Sequence, residues 1–245
     1  MRLSIIILLL LSNSLMLIGQ VQQHLELGLR LNQTNIQSLS FSPYVKSGLL
    51  PGVFLAYEKM QERPWHLQIE FQKGNLNSAI DEGDTFYELF DFAIRYTKLF
   101  PVIKDKMWIG GSLTALDGIV GRTPFINNSI LHDVSMTALG IATLNSVSVT
   151  QKVNIENRFS MDLAAWLSRN EFSSKIGTRY WFSTPLDRIN LNNQLRCNVR
   201  FDQHTVGLGY QFSMIRNFAN KSIFSQHSME LAYIFHFGKT SNDEN

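Results

Sequence analysis

Large apolar residues alternate with small or charged ones over most of this 245-residue chain, and a period of two commits it to β structure. The stretch 228–237 shows the pattern plainly. Met229, Leu231, Tyr233, Phe235 and Phe237 share one face, while Ser228, Glu230, Ala232, Ile234 and His236 share the other. Repeated along the chain, such segments describe a sheet wetted by lipid on one side and polar on the other. Past the first residues no apolar run has the length of a membrane-crossing helix, so residence in a bilayer must use strands.

The N-terminus reads as an export signal. Arg2 supplies a positive start, Ile5 to Leu11 is unbroken apolar sequence, and the polar Gln20-Val21-Gln22-Gln23 follows Gly19. The apolar stretch 5–18 carries Ser12, Asn13 and Ser14 and falls short of the ~20 residues that span a bilayer. Residues 1–19 are therefore expected to be cleaved, leaving a barrel over 20–237 and a short periplasmic tail over 238–245. The lone Cys197 has no internal partner for a disulfide, so ladders and packing must hold the fold. A formal net charge of +2, with no basic run interleaved with aromatics, argues against nucleic acid as a partner.

Ten candidate strands follow along the mature chain. Leu25, Leu27, Leu29 and Leu31 oppose Glu26, Gly28, Arg30 and Asn32; Trp65, Leu67, Ile69 and Phe71 oppose His66, Gln68, Glu70 and Gln72. Phe159, Met161, Leu163, Ala165 and Leu167 are expected on one face, opposite Ser160, Asp162, Ala164 and Trp166, and a bulge is expected near Asn145, where the preceding strand loses phase. Connections near 61–64, 99–105, 153–157 and 202–203 are short. Those at 34–51, 74–85, 117–135, 171–193 and 215–226 are long and rich in Asn, Ser, Gly and Asp. Short turns alternating with long loops predict an all-β fold, a single antiparallel up-and-down transmembrane barrel. Eight or twelve strands also satisfy the even count, because 171–193 contains Arg179-Tyr180-Trp181-Phe182, which could extend a strand or form a hairpin.

The Gly52–Glu58 segment, the strand from Trp65 to Gly74 and the aromatic final strand ending in Phe237 resemble the small β-barrel outer-membrane proteins of Gram-negative bacteria, the outer membrane protein beta-barrel domain group. The resemblance implies residence in outer-membrane lipid after export and insertion by the barrel-assembly machinery through the last strand. It carries no catalytic signature.

On this phase the lumen receives Glu26, Arg30, Glu58, Glu70, Asp91, Arg95, Asp162, Arg196, Arg200 and Glu230, with His66 and His236 nearby. Carboxylates and guanidiniums in a narrow space pair with one another before they line an open channel, and a barrel of this size has little room to spare. Two aromatic girdles are expected outside, with Trp65, Tyr96, Trp108, Phe235 and Phe237 at the short-turn ends and Trp166 and Trp181 at the long-loop ends. The expectation is a non-enzymatic outer-membrane barrel with an ion-paired lumen, in a structural or narrow-pore role with exposed loops. A rim-active lipid hydrolase or protease and a secreted soluble barrel around an apolar ligand are the alternatives. His227 and Ser228 point to opposite faces of one strand, the His residues lack paired ligand spacing, and no phosphate cradle occurs, so catalytic, metal and cofactor residues are expected to be none.

Overall fold

A computed structural model describes residues 22–38, 42–60, 63–78, 87–104, 106–123, 129–170, 178–218 and 222–237. The expected signal segment 1–19, the tail 238–245 and residues 79–86 of the loop expected at 74–85 lie outside them. Every regular element among the described residues is a strand: β1 (Gln22–Ser38), β2 (Ser42–Met60), β3 (Trp65–Ser78), β4 (Tyr87–Ile103), β5 (Met107–Thr123), β6 (Ser129–Ser148), β7 (Val153–Asn170), β8 (Thr178–Ser183), β9 (Arg188–Phe201), β10 (His204–Asn217) and β11 (Ser222–Phe237). Sequential neighbours pair antiparallel except β8 and β9, which both pair with β7, and β1 pairs with β11, so the sheet closes on itself.

Eleven strands fill ten places. β8 and β9 both run antiparallel to β7, β9 along residues 153–161 and β8 along 165–170, so they occupy one wall position in succession. The barrel therefore has ten strand positions, one of them interrupted at Thr184–Asp187. Of the residues 171–193 left ambiguous by sequence, the described 178–193 contribute one broken strand.

The side chains settle which face is which. Leu27, Leu29 and Leu139 are each 60 % exposed on the outer face, together with Leu31, Leu55, Phe71, Leu163, Leu208 and Leu231. Their inward neighbours Glu26, Arg30, Glu58, Asp91, Arg196 and Glu230 are buried. A wall that shows leucine outside and hides charge inside is the inverse of a water-soluble barrel, and it fits a lipid-facing surface.

Three expectations about the strands need correction. The long loops are largely wall: 34–38, 42–51, 74–78, 117–123, 129–135, 188–193, 215–217 and 222–226 are all strand. β6 alone has 20 residues, where about 9–11 tilted residues cross the hydrocarbon. Strands that project past the apolar layer meet water outside as well as inside and lose their alternation while keeping their ladder, so they read as loops. The turn expected at 153–157 lies earlier, at 149–152, where Thr150 Oγ1 accepts from the backbone N–H groups of Lys152 and Val153 at 3.2 and 3.0 Å. The two-residue turn at Asp202-Gln203 stands where expected, with Asp202 in the left-handed region at φ 52°.

The bulge is also elsewhere. Asn145 pairs in register with Met107 and Asn157, whereas Leu139 pairs with Ala164 and Gly140 with Asp162, leaving Leu163 as the extra residue on β7. The faces exchange there: Phe159 and Met161 belong to the outer set with Leu163, but Ala165 and Leu167 are buried inside and Trp166 stands exposed outside.

Candidate functional site

The lumen is the one place where the fold concentrates polar chemistry out of water. Because β1, β2, β9 and β11 each direct every second residue inward, their charged residues meet at two levels. At the lower level, nearer the short turns, Arg196 of β9 bonds Glu26 of β1, and its second nitrogen lies 3.8 Å from Glu156 of β7. Arg158 of β7 donates to both oxygens of Glu58 on β2, at 3.2 and 2.9 Å, and lies 3.3 Å from Glu156. With ten positions around the ring, β2 and β7 stand on opposite sides, so Arg158 and Glu58 form a bar across the lumen. A pair of histidines borders this level, His24 and His236, with ring centroids 4.3 Å apart.

At the middle level Arg30 sits between Glu230, at 3.1 Å, and Glu70, while Arg95 binds the other oxygen of Glu70. Gln194 donates to Glu230 at 2.5 Å and Gln68 to Glu70 at 2.9 Å. Glu230 is 2 % exposed, and Arg30 and Gln194 stand where water would otherwise solvate its carboxylate. Two glycines make the space. A Cβ on Gly209 would lie 2.6 Å from Glu230 Oε1, and one on Gly28 would lie 2.1 Å from the ring of Phe54, over which the Arg30 guanidinium rests at 4.4 Å. Above them an amide layer continues the network: Asn32 donates to Gln72 at 2.6 Å, Gln226 to Gln72 at 2.8 Å and Thr34 at 2.9 Å, and Gln72 to Asp91.

The carboxylates of Glu26, Glu58, Glu70 and Glu230 line the β11–β1–β2–β3 side. The opposite side holds two chambers with about 50 and 80 Å³ of space open to water, enough for a few molecules each. Arg95, Thr97, Ser160, Asn192 and Gln211 line both and mark the neck between them. Apolar clusters also occupy the lumen, with Leu99, Trp108, Ala142 and Leu144 low in the barrel and Leu50, Leu76 and Leu89 packed with Ile36 and Phe224 towards the long loops.

Of the residues expected in the lumen, Glu26, Arg30, Glu58, Glu70, Asp91, Arg95, Asp162, Arg196 and Glu230 lie there. Arg200 does not join them: it is exposed at the short-turn rim and donates to the carbonyl of Asp202 at 3.1 Å, because β9 ends one residue later. Glu156, Arg158 and Arg188 escaped sequence reading, Glu156 because it fell in the turn expected at 153–157, Arg158 because it precedes the strand read from Phe159, and Arg188 because it fell in the loop expected at 171–193. The run Ile155, Phe159, Met161 against Glu156, Arg158, Ser160 carries their signal, interrupted only by the outward Asn157.

Outside, Trp65 stacks between Tyr57 at 5.2 Å and Tyr96 at 6.0 Å, and Phe235 and Phe237 lie 6.0 Å apart across the seam from them. Trp166 is exposed towards the long-loop end. Trp181 falls on β8, but its side chain lies outside the described residues. Trp108 belongs to no girdle, because its even-numbered place on β5 turns it into the lower apolar cluster. His227 bonds Tyr210 on the outer face at 2.5 Å while Ser228 is buried inside, so the two cannot act as a catalytic pair. Cys197 is exposed on the outer face of β9.

A closed antiparallel barrel with apolar residues outside and ion pairs inside defines the class: the fold is that of the Gram-negative outer-membrane β-barrels. No family model and no curated protein matches the sequence. Among solved structures, the outer membrane protease OmpT from Escherichia coli aligns with a TM-score of 0.50 at 7 % identity, over 90 % of this chain and 97 % of that one. The translocator domain of the autotransporter NalP from Neisseria meningitidis aligns at 0.48 and 9 % over 92 % of each chain, and Neisserial surface protein A at 0.40 and 8 % over 87 % and 97 %. At such identities the likeness to OmpT is one of fold.

Proposed function

We propose that this chain is an integral outer-membrane barrel whose lumen is closed along its axis, acting as a rigid scaffold that presents its long-loop end at the cell surface. Outer-membrane lipid is its solvent, and the barrel-assembly machinery inserts it by way of β11. The bar formed by Arg158 and Glu58 carries this reading, since it joins opposite walls of the barrel. The Trp108 cluster beside it and the Leu50 cluster above it narrow the lumen, and the two chambers among the described residues hold about 50 and 80 Å³. An open channel would need a continuous hydrated path, and wide ones belong to barrels with more strands.

Purified protein in planar bilayers tests the proposal. The wild type should give no steady unitary current. Constant ohmic steps would sink the closed-lumen reading in favour of a narrow polar passage through the neck at Arg95 and Gln211.

A further inference from the structure

The lipid-facing wall of β6, β7 and β9 carries a cluster of amide side chains. Asn145 of β6 and Asn157 of β7 are ladder partners, and Asn193 of β9 stands diagonally beside Asn157, all three on the outer face. Apolar residues bracket the cluster along each strand: Ile141 and Val147 on β6, Ile155 and Phe159 on β7, Leu191 and Leu195 on β9. The amides therefore lie within the apolar layer and not at its edge. Acyl chains neither donate nor accept hydrogen bonds, so a polar group that faces them is costly unless it finds a partner on protein. Elsewhere on this wall such partners exist: Thr137 donates to the carbonyl of Ala115 at 3.1 Å, Tyr210 bonds His227 and Tyr233 bonds His204. In the cluster the amide nitrogen of Asn157 donates to Asn193 Oδ1 at 2.9 Å and to the carbonyl of Gln194 at 3.3 Å. Asn193 Nδ2, Asn157 Oδ1 and both polar atoms of the Asn145 side chain have no partner among the described residues.

We propose that this face is the contact between two copies of the chain, paired in the membrane about a two-fold axis that passes through the amide cluster. A two-fold axis sets a patch against itself, so the patch must complement itself, and an amide does so because it is donor and acceptor at once. The unused Nδ2 of Asn193 in one copy then meets the unused Oδ1 of Asn157 in the other, and the reverse pair forms with it. A patch of like charge would repel its copy. A purely apolar patch would gain little from pairing, since lipid tails satisfy leucine as well as another leucine does, and association within a bilayer draws on hydrogen bonds and close packing. The contact rests on the wall facing lipid and is independent of axial closure. Current through the wild type would overturn the closed-lumen proposal and leave this one standing.

Sedimentation equilibrium of the full-length barrel in density-matched zwitterionic micelles tests the contact, because it reports the mass of protein alone. The wild type should sediment as two chains at high protein-to-detergent ratio and dissociate as detergent is added. Asn157→Leu and Asn193→Leu each remove hydrogen bonds on both sides of the axis and should raise the dissociation constant about tenfold, the size of two such bonds lost together in an apolar medium. Both variants place an apolar side chain against lipid, so the monomer should keep its heat-modifiable mobility. Leu29→Ala, on β1 at the far side of the barrel, should leave the dissociation constant unchanged. Cys197, exposed on the same face of β9 as Asn193, locates the contact: a bis-maleimide should join wild-type chains severalfold faster than those of Asn157→Leu at equal concentration. A single-chain mass at every ratio overturns the proposal. So does a two-chain mass that Asn157→Leu and Asn193→Leu leave undisturbed, or that Leu29→Ala weakens as much as they do.

Discussion

Glu26 and Arg196 show what a single buried contact demands in this barrel. Both are within a few per cent of full burial, and Glu26 lies against a guanidinium that has a second carboxylate, Glu156, only 3.8 Å away. Removing one charge from such a pair leaves the other desolvated without its partner, at a cost of about 3–5 kcal/mol. Glu26→Gln should therefore lower stability by that amount in urea-induced unfolding followed by heat-modifiable mobility. The exposed pair of Lys73 and Glu88, 2.8 Å apart on the outer wall, provides the contrast: Lys73→Gln should change stability by about 1 kcal/mol or less. Similar losses from both substitutions would mean that water reaches the lower level of the lumen freely. The identities of most lumen residues were legible from alternation alone. Their partners were not, because which Arg meets which Glu depends on the ring order of strands and on the distance across the barrel, neither of which a sequence of alternating residues records.

Among the elements, β1 and β11 were readable over 24–33 and 228–237 because each keeps one leucine- or aromatic-rich face through the membrane layer, while their 34–38 and 222–226 ends were expected as loop. β7 was not. Its extra residue Leu163 exchanges the faces midway, and sequence alternation that runs unbroken from Phe159 to Leu167 conceals the exchange, since alanine is acceptable on either side. The upper halves of the strands were lost for a different reason: above the apolar layer, Asn, Ser and Gly serve equally well facing water or lumen, so the period of two fades while the ladder continues. Phase within the membrane layer remains testable on β1. Leu27→Arg places a charge among Leu25, Leu29 and Leu31 on the outer wall and should cost about 2–4 kcal/mol if it lies near the bilayer midplane. Leu186→Arg, on the raised turn between β8 and β9 nearer the long loops, should cost about 1 kcal/mol or less, as expected towards an interface. Refolding into lipid vesicles over a urea series gives both values, and an equal cost at the two sites would contradict the placement of the apolar layer.

For the whole molecule, the uneven filling of the lumen has an electrical consequence. The β11–β1–β2–β3 side carries Glu26, Glu58, Glu70 and Glu230, the β4–β10 side the two chambers, and Arg158 reaches from β7 across to Glu58 on β2 beneath the lower chamber. Shortening that side chain does two things at once. It removes the bar, and it leaves Glu58 without its guanidinium, with Glu156 left to the Asn154 amide at 3.1 Å and the more distant Arg196 at 3.8 Å. Arg158→Ala should accordingly convert a silent barrel into a conducting one, and the exposed carboxylates should make the current cation-selective, read as a reversal potential displaced towards that of the cation under a salt gradient. Arg30→Met makes the control, because Arg30 lies on the β11–β1–β2–β3 side between Glu70 and Glu230, away from the bar. It should destabilise the barrel without opening it. If Arg30→Met conducts while Arg158→Ala stays silent, the closure lies at the middle level among Arg30, Glu70 and Glu230, and the bar at Arg158 is only one more ion pair in the wall.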